Sequence, residues 1–247
     1  KKAKRPKIIS SGKFMENKVM IITGARKGIG RYLSEFYIQK GLFVIGCSRS
    51  ETDLKHDNYE HFCLDVSDER LIKNMLSKIV RKYKRIDYLI NNAGIASMNH
   101  SFLTPLSVVE KIFKTNFFGT FLFCRETGKI MAKHKFGRIV NFSTIAVPLN
   151  LEGESIYASS KAAVEQLTKI IAKEFGEIGI TCNTIGPTPI KTDLIKNIGE
   201  EKLKKVLNQQ AIKEFSSFED ITNIIDFFIS EKSKMITGQT IYLGGVC

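Results

Sequence analysis

One stretch near the start limits the fold more than any other. Residues 19–22 form a short apolar run, and Thr23-Gly24-Ala25-Arg26-Lys27-Gly28-Ile29-Gly30 follows without a break. Ile29, Leu33, Phe36 and Tyr37 then fall on one helical face, Gly41 supplies a stop, and residues 42–46 read as a second buried strand. Strand, glycine turn, amphipathic helix and strand make a βαβ unit, which requires a parallel pair with a helix packed against it.

The rest of the chain keeps this alternation. The link to a third strand around residues 62–64 is short and polar, too short for a full helix. Ser67 is placed to cap a helix in which Leu71, Ile72, Met75, Leu76, Ile79 and Val80 form an apolar stripe. Strands are expected at 86–90, 138–142, 180–185 and 240–243. Between them lie a long helix over about 106–133, a helix running through Leu167 and Ile171, and a last helix over 218–229 capped by Ser217. The expected fold is therefore a three-layer, doubly wound (Rossmann-type) α/β domain with a mostly parallel seven-stranded sheet. A 247-residue chain that is 43% hydrophobic can fill such a core.

Residues 15–247 read as one domain, because no linker, repeat or low-complexity block follows residue 14. Residues 1–14 carry six Lys or Arg and no acid, part of a net charge of +13, and read as a basic tail or an expression remnant. Such runs are usually just solvated; contact with nucleic acid is the alternative. No apolar run approaches the roughly 20 residues that span a bilayer, and no secretory leader opens the chain. The five cysteines (Cys47, Cys63, Cys124, Cys182 and Cys247) are widely spaced with no C-x-x-C. They predict free thiols in a cytoplasmic protein, with no disulfide frame and no metal site.

Three motifs carry chemistry. In the glycine turn, Gly24 suits a left-handed backbone, Gly28 lets the chain approach a phosphate, and Gly30 lets the helix pack close to the sheet. The following helix start offers N–H groups and a positive dipole end to a pyrophosphate. Asn91-Asn92-Ala93-Gly94 ends the fourth strand, at the edge where open α/β sheets bind ligands. Tyr157 and Lys161 stand four apart in Ser155-Ile156-Tyr157-Ala158-Ser159-Ser160-Lys161, hence on one helical face. The ammonium favours the phenolate and is expected to lower the tyrosine pKa.

Taken in order, Thr23-Gly24-x-x-x-Gly28-Ile29-Gly30, Asn91-Asn92-Ala93-Gly94, Asn116, Tyr157-x-x-x-Lys161 and the 187–192 stretch resemble the short-chain dehydrogenases/reductases. The similarity is to the single-domain branch that includes the 3-oxoacyl carrier-protein reductases, and it covers the chain from about residue 15 to 246. It implies Tyr157 as general acid/base, Lys161 as the group that tunes it and holds the nicotinamide ribose, and Asn116 as part of a proton path. A structural helix–helix bond is the other reading of Asn116. It implies cofactor contacts from Gly24, Arg26, Lys27, Gly28, Ile29, Gly30, Asn92, Ala93 and Gly94, with Asp65 on the adenine amino group and Val66 against the ring. Asp65 reads equally as a turn aspartate.

The end of the second strand has no acid to hold a ribose 2′-hydroxyl. It reads Cys47-Ser48-Arg49, and Lys27 adds a second cation, which suits a 2′-phosphate and predicts NADP(H). Ordinary surface cations are the bland alternative.

Two places depart from the family pattern. Counting thirteen residues back from Tyr157 puts Thr144, not a serine, in the slot that holds the substrate carbonyl, with Ser143 before it as the rival. The sixth strand exits through Pro187-Thr188-Pro189-Ile190-Lys191-Thr192, with Thr188 where glycine is common; Pro187, Ile190 and Thr192 remain candidate cofactor contacts.

The expected function is NADPH-dependent reduction of a carbonyl (ketone, 3-oxoacyl thioester or keto-sugar), or the reverse, in a homodimer or homotetramer. A cofactor-binding sensor or scaffold without turnover is the alternative. Lys196, Lys202, Lys204 and Lys205 in the segment expected to cover the pocket suggest an acidic substrate, or simply a solvated face.

Overall fold

A computed structural model describes residues 18–190 and 199–246. Seven strands, β1 (Val19–Thr23), β2 (Phe43–Ser48), β3 (Tyr59–Cys63), β4 (Tyr88–Asn91), β5 (Gly137–Phe142), β6 (Ile180–Gly186) and β7 (Thr240–Tyr242), form one sheet in the order β3-β2-β1-β4-β5-β6-β7. Every pairing is parallel. The helices are α1 (Gly28–Gln39), α2 (Glu69–Tyr83), α3 (Leu106–Phe113), α4 (Gly119–His134), α5 (Ser155–Gly176), α6 (Glu200–Asn208) and α7 (Phe218–Ile229).

The central strands β1, β2 and β4 are largely apolar without alternation because both faces are covered. In β1, Val19 and Ile21 join a core with α2, α4 and α5, through residues such as Ile72, Phe123 and Ile171. Met20 and Ile22 point the other way, into a core with Leu33 and Tyr37 of α1 and Ile225 and Phe228 of α7. Among the described residues no helix lies between β2 and β3, in keeping with that short polar link.

Two local expectations change. Asp68, not Ser67, caps α2: its side chain accepts from Leu71 N at 3.0 Å. Ser67 is already engaged, its N and Oγ both donating to Asp65 Oδ1. The long helix over 106–133 is interrupted by a π-helical turn at Lys114–Phe118. An inserted residue of this kind re-aims a side chain, and the side chain here is Asn116, fully buried. Ser217 caps α7 as expected, in a reciprocal capping box with Asp220. The basic tail, residues 1–14, lies outside the described residues.

Candidate active site

The order of strands reverses between β1 and β4, and at their carboxyl ends two cavities adjoin, of about 440 and 560 Å³. Ile29, Ser143, Tyr157 and Pro187 line both.

The smaller cavity is built on the glycine turn. Gly24 has φ of +69°, and a Cβ there would come within 2.9 Å of Ala93 Cα. A Cβ on Gly30 would come within 2.3 Å of Gly24 O, so helix and turn could not close with a side chain between them. Asn92 Nδ2 donates to Thr23 O (2.9 Å) and Gly24 O (3.3 Å), and Ala93 N donates to Thr23 Oγ1 (3.0 Å). Those bonds tie the end of β4 to the turn. The first turn of α1 holds no acid, and its N-cap, Lys27, makes no side-chain cap bond. Its N-terminal N–H groups therefore suit an anion.

Gly24, Arg26, Lys27, Gly28, Ile29, Arg49, Asp65, Val66, Asn92, Ala93 and Gly94 all line this cavity, whereas Gly30 lies buried behind the turn. Ser48, at the end of β2, and Ser50 line it too, beyond the contacts the motifs imply. Ser48 Oγ donates to Ser50 O (2.7 Å) and lies 2.9 Å from His61 Nε2, a contact visible only once β3 is paired with β2. Burial opposes ionisation of Asp65, but bonds from Ser67 and the positive charges of Arg49 and Lys114 hold its carboxyl below the ordinary range. Asp65 is thus a turn aspartate that also faces the cavity.

α5 brings Tyr157 and Lys161 to the junction of the cavities. Lys161 is buried; its Nζ donates to Phe142 O at 2.8 Å, and burial lowers its pKa to about 8. A Cβ on Gly94 would lie 3.3 Å from Lys161 Nζ and 3.4 Å from Asn116 Oδ1, so that glycine keeps room between the two. The Asn116 side chain accepts from Ile95 N (2.9 Å) and donates to Ile95 O (2.9 Å) and Ser160 Oγ (3.0 Å). Its amide thus clamps the segment after β4 to α5.

Tyr157 is half-buried, and its phenol is not acidified in the free protein. Burial, then the charge of Glu154, push it up to about 12, and a hydrogen bond with Thr144 offsets only part of this. The expected lowering by Lys161 is not what this state shows: burial and Glu154 raise the phenol, and the bond with Thr144 is what lowers it.

The two rival hydroxyls separate. Ser143 Oγ donates to Glu165 Oε1, which also accepts from Tyr242 OH at 2.6 Å. The Ser143 proton is committed away from the cavity. Thr144 faces Tyr157 and lines the larger cavity.

Past β6, Pro187, Thr188, Pro189 and Ile190 line the larger cavity; Thr192 and Lys196 lie outside the described residues. Thr188, in place of glycine, donates to Ser216 Oγ (2.9 Å) and accepts from Ser216 N (3.0 Å), tethering the approach to α7. α6 covers the cavity with Lys202, Leu203, Lys205 and Val206, whereas Lys204 does not reach it. Much of the lining is apolar, including Met98, Ile145, Leu149 and Leu151. Among the described residues no helix is long and apolar enough to cross a membrane, and no three His, Cys, Asp or Glu are grouped to hold a metal ion.

Comparison with known proteins agrees with this geometry. A family model described as enoyl-(acyl carrier protein) reductase, of the short-chain alcohol dehydrogenase type, matches residues 24–245. The 3-oxoacyl-[acyl-carrier-protein] reductase of Buchnera aphidicola subsp. Schizaphis graminum is 34% identical, the match covering 94% of this chain and 97% of that protein. Among solved structures, ElxO with NADP bound is 30% identical with a TM-score of 0.84, covering 92% of this chain and 96% of that one. A 4-hydroxyisoleucine dehydrogenase complexed with NADH is 27% identical with a TM-score of 0.83, covering 92% and 97%. The chain belongs to the short-chain dehydrogenase/reductase family of oxidoreductases.

Proposed function

We propose that this protein is an NADPH-dependent carbonyl reductase acting on 3-oxoacyl thioesters. The observation that carries the reading is that Tyr157 lines both cavities, with Lys161 on the side of the glycine turn and Thr144 bonded to it on the side of the larger cavity. The first cavity fits a dinucleotide: its glycine turn leaves no room for side chains, and Arg26, Lys27 and Arg49 supply positive charge where a 2′-phosphate would lie. Bound there, the cofactor supplies the hydride. Neighbours with NADP and with NADH both exist, so the choice of NADPH rests on Arg49 and the missing acid at the end of β2.

Tyr157 donates its proton to the carbonyl oxygen, and Thr144 orients that oxygen through its hydroxyl. Lys161 places a positive charge beside the phenolate that forms. Asn116 acts as a positioning residue, holding the Ile95 backbone and α5 in register. The apolar lining of the larger cavity supports an acyl chain over a keto-sugar, as do the relatives' names. A homodimer or homotetramer packed through α4 and α5 belongs to this reading; exposed Phe118, Phe121 and Ile170 support it.

A screen of ketones, 3-oxoacyl thioesters and keto-sugars followed by NADPH absorbance tests the function. The 3-oxoacyl thioesters should give the highest kcat/KM, and absence of turnover across the screen overturns the reading. Thr144→Ala is expected to lower kcat/KM roughly 10²-fold, the usual loss when one donor to a developing oxyanion is removed. If Ser143→Ala loses turnover and Thr144→Ala does not, the carbonyl is held by the other hydroxyl.

A further inference from the structure

The larger cavity has an acid where its chemistry is most exposed to it. Glu154 immediately precedes α5, lines the cavity and stands one helical turn before Tyr157. A short polar residue at this position would turn its side chain back to the first N–H groups of the helix; Glu154, a longer acid, makes no such bond. It is half-buried, and burial is the only influence that moves its carboxyl, upward from the ordinary value. No neighbouring cation pulls it the other way. The cavity's cations, Lys202 and Lys205, are exposed and come from α6 on the covering side; Lys202 Nζ lies 3.7 Å from Met98 Sδ. The cavity thus carries Glu154 beside Tyr157, a second and exposed acid in Glu152, and exposed cations along its cover.

We propose that Glu154 is a specificity-determining residue that admits carbonyl compounds whose neighbouring group is neutral and rejects those with a free carboxylate next to the reacting carbon. This deepens the carbonyl-reductase reading and rests on it. A carbonyl held between Tyr157 and Thr144 brings the next one or two carbons of its substrate close to Glu154. A carboxylate there meets like charge in a partly desolvated space, where the repulsion is stronger than in water. An ester, thioester or amide at the same place meets none, and its N–H or hydroxyl groups gain an acceptor. The class selected is a neutral 3-oxoacyl derivative; 2-oxo and 3-oxo acids are excluded.

The test compares ligands that differ only in this charge, on wild type and Glu154→Gln, by calorimetry with octanamide and octanoate on the NADPH-loaded protein at pH 8. Wild type should bind octanamide at least tenfold tighter than octanoate, and Glu154→Gln should bring the two within about threefold by gaining octanoate affinity. An apolar pocket alone disfavours octanoate equally in both proteins. An unchanged ratio in the variant, no preference in wild type, or binding of neither ligand therefore overturns the proposal. In parallel, the kcat/KM ratio of ethyl acetoacetate to acetoacetate should fall at least tenfold in the variant. If octanamide preference responds to Glu154 but no ketone is turned over, the carbonyl-reductase reading fails while the charge selection stands. If ketones are turned over with the same ratio in both proteins, only the selection fails.

Discussion

Tyr157→Phe is expected to lower kcat for carbonyl reduction roughly 10³-fold, within the 10²–10⁴ range that a positioned general acid supplies. NADPH affinity should stay within a few-fold, because the substitution removes one oxygen from the junction of the cavities and leaves the glycine turn and Arg49 in place. The protonation states explain why the loss is so large. With the phenol at about 12 and the Lys161 ammonium at about 8, the resting protein at pH 7 holds a proton on Tyr157 and a charge on Lys161. That is the state reduction needs: a donor ready to give, and a cation beside the oxygen that becomes negative. As pH rises through about 8, Lys161 loses its charge and reduction should slow, while the phenol still carries its proton. The reverse reaction needs the phenolate, which stays scarce over this range because the phenol titrates only at about 12, so alcohol oxidation should show no rise through pH 8. Stopped-flow turnover against pH, with NADPH binding measured by fluorescence, reads both. Turnover by Tyr157→Phe within tenfold of wild type would show that another group gives the proton.

The parts of this molecule legible in its sequence are those whose causes are local. The βαβ start was readable because a buried strand, a turn that needs glycine and an amphipathic helix each leave their own mark within about thirty residues. The Tyr157–Lys161 pair was readable because helical spacing fixes which residues share a face. What escaped depends on contacts between distant segments. The π-helical turn at Lys114–Phe118 has no periodicity of its own; it exists because Asn116 bonds the backbone of Ile95, 21 residues away. Ser143 and Thr144 look alike as sequence, and Glu165, 22 residues on, is what takes up the Ser143 proton. The rise of the Tyr157 pKa is not legible in the spacing to Lys161, because burial and the charge of Glu154 set it. Asp68 displaced Ser67 as a cap for a similar reason, since Ser67 was already bonded to Asp65.

Arg49→Asp should reverse the coenzyme preference. Wild type is expected to favour NADPH over NADH, and the variant to favour NADH, a change in the kcat/KM ratio of about 10²–10³. The magnitude follows from two contributions. Losing a guanidinium opposite a phosphate removes charge-assisted hydrogen bonds, each worth roughly 1.5–3 kcal/mol. The new carboxylate repels a 2′-phosphate and accepts from a ribose 2′-hydroxyl, the arrangement that NAD-dependent members of such folds use at the end of the second strand. Together these amount to about 3–4 kcal/mol, and each 1.4 kcal/mol is tenfold. Arg49 is exposed, just past the end of β2, so folding stability should not change, and an unaltered Tm separates a specificity effect from misfolding. Lys27, which lines the same cavity, remains in the variant and should leave measurable NADPH activity. Ser48, held by Ser50 O and His61, stays in either protein to meet the ribose. Wild-type preference for NADH, or a ratio that ignores Arg49, would mean that the cations around this cavity serve only to solvate its rim, and the assignment of NADPH would fall with them.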